Sequence, residues 1–128
     1  MTDLLILDDD PLQHMVLQLM IDKYCPCKVR HYYDGNSVID YLNEHSTDYE
    51  MLPDVIFLDI NMPQITGWQF LENYKTLAVQ LKKNIDIYIV SSSIHPHDLK
   101  RVNNYPFVKS YLIKPLTREI LEASTVYH

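Results

Sequence analysis

Apolar positions along the chain alternate between two rhythms. Leu4-Leu5-Ile6-Leu7 and Val55-Ile56-Phe57-Leu58 are unbroken apolar runs, the first cut off by Asp8-Asp9-Asp10 and the second by Asp59. Short runs of this kind read as strands buried on both faces, so the acids are delivered to the strands' carboxyl ends. Between such runs the spacing turns helical. Asp10-Pro11 is a good helix start, because Asp caps exposed amides and proline suits the first helical position. Leu12, Met15, Val16, Leu19 and Met20 then recur at i, i+3, i+4, i+7 and i+8, which predicts a one-faced helix with this stripe in the core, ending near Cys25-Pro26.

The same two rhythms continue to the end of the chain. A short strand is predicted over Lys28 to Tyr33, and Asp34-Gly35-Asn36 turns into a helix through Val38, Ile39 and Leu42. Asn43 to Pro53 is polar and reads as a long connection. Thr66-Gly67 closes the loop after Pro63 and precedes a helix carrying Trp68, Phe70, Leu71, Tyr74, Leu77 and Leu81. Strands over Asp86 to Val90 and Phe107 to Ile113 flank a short helix within His97 to Asn104, and Leu116 to Ser124 forms the last helix. Strands alternating with helices in this way call for an α/β fold, a parallel sheet covered on both faces.

Composition narrows the class. At 128 residues the chain is one domain, large enough for a real core without disulfides or structural metal. Seventeen acidic against 11 basic residues give a net charge of -6, which argues against direct nucleic-acid binding. No basic leader and no apolar stretch of membrane-spanning length is present, so a cytoplasmic location without membrane contact is expected. Cys25 and Cys27 flank Pro26, too close for a good disulfide, and with His31 still short of a zinc site; small buried residues at a turn are the simpler reading.

Right-handed crossovers bring the carboxyl ends of the first, third, fourth and fifth strands to one edge, where open α/β sheets bind ligands. Those ends carry Asp8-Asp9, Asp59, Ser91 and Lys114. Packed carboxylates repel by roughly 4 kcal/mol per pair at about 4 Å and an effective dielectric near 20, so the cluster needs a cation. Few ligands, all hard oxygens, suit Mg²⁺ or Mn²⁺ better than Zn²⁺. A divalent ion, an ammonium and a hydroxyl around one carboxylate suit phosphoryl transfer, with Asp59 as nucleophile giving an acyl phosphate.

With these residues in place the whole chain resembles the receiver domains of two-component response regulators, of the single-domain chemotaxis-receiver kind. The resemblance rests on the acidic pair Asp8-Asp9, on Asp59 in Leu-Asp-Ile-Asn-Met-Pro, on Ser91 after the fourth strand, on Lys114-Pro115 after the fifth, and on Tyr111 three residues before the lysine. It implies a flavodoxin-like sheet in the order 2-1-3-4-5 and a receiver spanning residues 1–128 with no output domain. It also implies direct Mg²⁺ ligation by Asp9 and Asp59, Asp8 acting largely through water, and a backbone carbonyl from Asn61. Lys114 pairs with Asp59 before phosphorylation and with a phosphoryl oxygen afterwards. Ser91 donates to another phosphoryl oxygen, and its movement lets Tyr111 turn inward, shifting the face of the fourth helix, fifth strand and fifth helix. The donor is a phosphohistidine on a sensor kinase or phosphotransfer protein, which in this family also meets the exposed surface of the first helix; the receiver of the signal is a separate protein. Asn61 and Ser93 are placed to influence the lifetime of the phosphorylated state. Ser92, where the family usually has Ala, and Ser110, where it often has Gly or Ala, are small departures.

Other readings make distinguishable demands. A magnesium-dependent phosphatase with an Asp nucleophile needs a second Asp two residues on, where this chain has Asn61. An FMN carrier of the same topology needs a Gly/Ser/Thr-rich loop where Asp8-Asp9-Asp10 stands. A pseudo-receiver that binds partners without phosphorylation has no use for Asp59, Ser91 and Lys114 together. Asp10 reads as a helix cap rather than a ligand. Ser92 takes the role of Ser91 if the fourth strand ends one residue later, and His95 and His97 read as solvated loop residues.

Overall fold

The alternating runs become β1 (Asp3–Leu7), α1 (Pro11–Tyr24), β2 (Lys28–Tyr32), α2 (Gly35–Glu44), β3 (Val55–Asp59), α3 (Gly67–Ala78), β4 (Asp86–Ser91), α4 (Pro96–Val102), β5 (Val108–Ile113) and α5 (Arg118–Thr125). These come from a computed structural model that describes residues 1–92 and 95–125. The five strands form one sheet in the order β2-β1-β3-β4-β5, and every neighbouring pair is parallel. The expected fold class and strand order are therefore those of the protein.

Strand alternation sorts the core into two layers. Leu5, Leu7, Ile56, Leu58, Ile87 and Ile89 pack on one side against Val38 and Leu42 of α2 and Phe70, Leu71 and Tyr74 of α3. Leu4, Ile6, Val55, Phe57 and Val90 pack on the other side against Leu17 and Ile21 of α1 and Leu121 of α5. β1 and β3, lying between neighbours and covered on both faces, are buried along their whole lengths. Each fully buried Leu, Ile or Phe contributes about 1.5–3 kcal/mol, so the central strands are the most firmly held part of the sheet. No helix among the described residues is long and apolar enough to cross a membrane.

Helix starts follow their sequence signals. Asp10 caps α1 by accepting from the Leu12 amide at 3.0 Å, with Pro11 at the first helical position. Asp34 caps α2 through the Ser37 amide at 2.9 Å. Thr66 and Gln69 form a reciprocal capping box at α3. Helix α3 stops at Ala78, so Leu81 packs against the core from the following turn rather than from the helix. The polar connection before β3 contains a 3-10 turn at Tyr49–Met51 and ends in Leu52, which is fully buried.

The expectation for α1 is corrected. Leu12, Met15, Val16 and Leu19 are exposed, at 63%, 61%, 42% and 66% of their maximal areas, and only Met20 of that stripe packs partly on the core. The buried face is His14, Leu17 and Ile21. The helix carries two apolar stripes, and the one chosen is completed by a histidine whose Nε2 donates to the Asp8 carbonyl and whose Nδ1 meets His31 Nδ1 at 2.7 Å. Cys25 and Cys27 are free thiols and only half-buried, rather than fully inside.

This assignment separates two neighbouring leucines. Leu17→Ala should destabilise the protein by about 2–4 kcal/mol, whereas Leu12→Ala and Leu19→Ala should stay within about 0.5 kcal/mol of wild type. Urea unfolding midpoints measure the difference, and comparable losses at Leu12 and Leu17 would mean the helix is rotated from the position described.

Candidate functional site

The site forms where the two most buried strands end. Asp59 is the last residue of β3 and Asp8 directly follows β1; both are buried, at 6% and 3% exposed, while Asp9 is exposed beside them. One carboxylate oxygen from each of Asp8, Asp9 and Asp59 lies within 4.8 Å of the others. Local hydrogen bonds fix the two buried acids: Asp8 Oδ1 accepts from the Asp10 amide at 2.9 Å, and Asp59 Oδ1 accepts from the Asn61 amide at 3.3 Å. Asn61 itself is exposed.

Gly67 lets α3 begin against this edge. Its amide donates to the Ile60 carbonyl at 3.0 Å, and a Cβ there would stand 2.7 Å from Ile60 Cα and 2.8 Å from the Asp59 carbonyl oxygen. No side chain fits that gap without moving the backbone that carries Asp59.

Lys114 reaches the same point from the end of β5. Its ammonium lies 3.0 Å from Asp8 Oδ2 and 3.7 Å from Asp59 Oδ1, so it bridges the two acids and sits nearer Asp8. The expected pairing with Asp59 is present, at the longer of the two distances. With two buried carboxylates side by side, one cation placed between them neutralises more charge than one paired to either. The Lys114 amide donates to the Ser91 carbonyl at 2.8 Å, and the Lys114–Pro115 peptide is cis.

Ser91 ends β4 and is buried, whereas Ser92 lies beyond the strand and is exposed. Asp59 is paired in register with Val90, one residue before Ser91. Tyr111 pairs in register with Ile89, is half-buried, and packs against the α2 and α3 side of the core. Ser110 is exposed on β5, and His95 and His97 are exposed. Ser93 lies outside the described residues. Asp8, Asp9, Asp59 and Lys114 are thus brought together, with Ser91 on the adjoining strand end.

One participant was not foreseen. Buried His14 of α1 donates from Nε2 to the Asp8 carbonyl at 2.8 Å, tying the helix to the backbone of the acidic cluster. Its signal in the sequence was the spacing to Leu17 and Ile21, i, i+3 and i+7, masked by its polar side chain.

Burial, followed by the Asp8 carboxylate, raises the Asp59 carboxyl to about 6, against the opposing pull of Lys114. The carboxylate therefore waits in a setting that favours any cation able to reach it.

Residues 4–125 match the family described as response regulator receiver domain. The chain belongs to this family. Among curated relatives, the probable methanogenesis regulatory protein FilR2 of Methanothrix harundinacea is 33% identical over 90 residues, covering 70% of this chain and 56% of that protein. A two-component response regulator structure from Cytophaga hutchinsonii is 28% identical with a TM-score of 0.84, covering 96% of this chain and 94% of that one. The receiver domain of the Arabidopsis thaliana histidine kinase CKI1, complexed with Mg²⁺ and BeF₃⁻, shares the fold at 18% identity with a TM-score of 0.80 over 94% of this chain and 87% of that one. The receiver spans about half the length of several curated relatives it matches. Receiver domains are generally phosphorylation-dependent signalling modules rather than classical enzymes, and receive phosphoryl groups from kinases or phosphotransfer proteins.

The raised Asp59 carboxyl has a definite sign in stability. Its folded value of about 6 exceeds the unfolded 3.8, so the native state binds more protons between these values and stability falls as pH rises through that window. Above it the ionised group is a full liability. Asp59→Asn should therefore stabilise the receiver in EDTA at pH 7.5 by on the order of 1–3 kcal/mol, an advantage that shrinks towards pH 4. Thermal unfolding across that range measures it; an advantage independent of pH would mean the carboxyl titrates normally.

Proposed function

We propose that Asp59 accepts a phosphoryl group from a phosphohistidine of a sensor kinase or phosphotransfer protein, with Mg²⁺ as cofactor, and that the change is read at the surface around Tyr111 by a separate partner. The observation that carries this reading is the buried Asp59 carboxylate facing Asp8, Asp9 and the Lys114 ammonium at one strand edge. The donor set fits a hard divalent ion: three carboxylates supply oxygen ligands, with solvent available on the exposed Asp9 side. Asp9 and Asp59 would ligate it directly, Asp8 through water, and Asn61 through its carbonyl; Mn²⁺ satisfies the same set. Bound there, the ion would supply positive charge to the phosphoryl oxygens. The named state of the CKI1 receiver, with Mg²⁺ and BeF₃⁻, is in keeping with this chemistry.

The chain's own residues do the rest. An Asp59 oxygen attacks phosphorus in line, the P–N bond to the donor imidazole breaks, and its electron pair returns to that nitrogen. Lys114, already between two acids, needs only a short movement to leave Asp8 and meet a phosphoryl oxygen. Ser91 donates its hydroxyl to another. The exposed stripe Leu12, Met15, Val16 and Leu19 lies on the helix that starts next to the acids and gives the donor an apolar surface to cover while it excludes water. Tyr111 then shifts between two packings on the core beneath β5, and the face formed with α4 and α5 follows.

Acetyl phosphate with Mg²⁺ should add one phosphoryl group to the intact protein, localised to Asp59, and EDTA or Asp9→Ala should reduce labelling at least tenfold. Intact mass and peptide mapping of a borohydride-trapped sample decide this. Undiminished labelling of Asp59→Asn would remove the nucleophile from the proposal.

Ser91→Ala and Tyr111→Ala should each leave labelling of Asp59 within a fewfold of wild type yet weaken the phosphorylation-induced change of the α4–β5–α5 face, followed by amide exchange. If the two side chains act as one device, the double variant loses little more than either single one, a non-additivity that a double-mutant cycle measures. Additive losses would mean that the face is coupled by another route.

A further inference from the structure

His14 and His31 stand with their Nδ1 atoms 2.7 Å apart, outside the acidic cluster. The far nitrogen of each ring is committed as a donor. His14 Nε2 faces the Asp8 carbonyl oxygen at 2.8 Å, and a carbonyl only accepts. His31 Nε2 faces Gln18 Oε1 at 2.8 Å, and the Gln18 amide cannot be reversed, because its Nε2 donates to Asp22 Oδ1 at 2.8 Å. With both protons on Nε2, the neutral rings point two lone pairs at each other. Such a pair holds only if a shared proton or a metal ion lies between them. Burial, then the neighbouring His14 ring, disfavours a charged His31.

We propose that His14 Nδ1 and His31 Nδ1 form a binding site for a borderline divalent transition ion of the Zn²⁺ and Cu²⁺ class, separate from the Mg²⁺ site. Imidazole nitrogen is the ligand such ions prefer, while Mg²⁺ prefers oxygen. The outer contacts are those of ligating histidines, each ring giving its second N–H to a carbonyl oxygen, which fixes the tautomer and aims the other lone pair at the metal. Two ring nitrogens on one ion at about 2.0–2.1 Å stand roughly 2.9–3.4 Å apart, so the rings must part by a few tenths of an ångström. His31 is placed to give way: it is half-buried on β2, the edge strand. A groove lined by Pro11, Met15, Leu19 and Tyr33 alongside the two rings opens to solvent and leaves room for water ligands.

The untagged full chain should be titrated calorimetrically with ZnCl₂ and with CuCl₂ in excess Mg²⁺, which keeps the acidic cluster occupied. One ion should bind per chain, Cu²⁺ more tightly than Zn²⁺, and the Cu²⁺ form should show paramagnetic resonance couplings from two imidazole nitrogens. His31→Gln should weaken binding at least tenfold, Gln18→Ala by about tenfold through loss of the outer partner, and Asp9→Ala should bind as wild type does. Circular dichroism of each variant establishes that it is folded. Equal affinity in His31→Gln, loss in Asp9→Ala, or no binding with nitrogen resonances showing a proton shared between the two Nδ1 atoms would each overturn the proposal.

Discussion

Three carboxylates and one ammonium at the end of two buried strands set the terms for the rest of this molecule. Asp8 and Asp59 lie within the reach of each other's charge in a place where water cannot screen them, and Lys114 offsets only part of the repulsion. The arrangement survives because it is mounted on the least deformable part of the sheet: β1 and β3 are covered on both faces, so the acids cannot swing apart without disrupting a packed core. Gly67 brings α3 up to the Asp59 backbone from one side, and His14 holds α1 to the Asp8 backbone from the other. The fold thus stores electrostatic tension at one edge and spends the stability of both layers to keep it there.

That edge was legible in the sequence for a simple reason. A strand buried on both faces carries charge only at its ends, as Asp3 and Asp59 do here, so the abrupt change from Leu7 to Asp8 and from Leu58 to Asp59 marks both the strand end and the chemistry. Alternation of runs then sets parallel pairing, and right-handed crossovers put the ends together. Lys114 was legible only through its place after a strand and before Pro115. Its preference for Asp8 was not, because it depends on distances of 3.0 and 3.7 Å between groups far apart in the chain.

The misread face of α1 has a different cause. Hydrophobic spacing identifies a stripe by its residue types, and Leu12, Met15, Val16 and Leu19 form a better stripe than His14, Leu17 and Ile21 do. Burial follows free energy, however, and the hydrogen bond from His14 Nε2 to the Asp8 carbonyl offsets part of the cost of burying the ring while adding the strand's own backbone as partner. A surface helix beside this acidic edge can keep its stronger apolar stripe outward only where something else anchors it. Here the anchor is a polar residue, which composition-based reading discounts.

Burial of Asp59 also bears on its reactivity. A carboxylate raised to about 6 is more basic than one in water, and basicity carries nucleophilic strength with it, yet one unit below neutrality it is still about nine-tenths ionised at pH 7. The opposite placement, with Lys114 directly on Asp59, would keep the acid ionised at lower pH but weaken it as a nucleophile. By resting nearer Asp8, the ammonium leaves Asp59 basic and, in the proposed transfer, stays close enough to meet new negative charge as it develops.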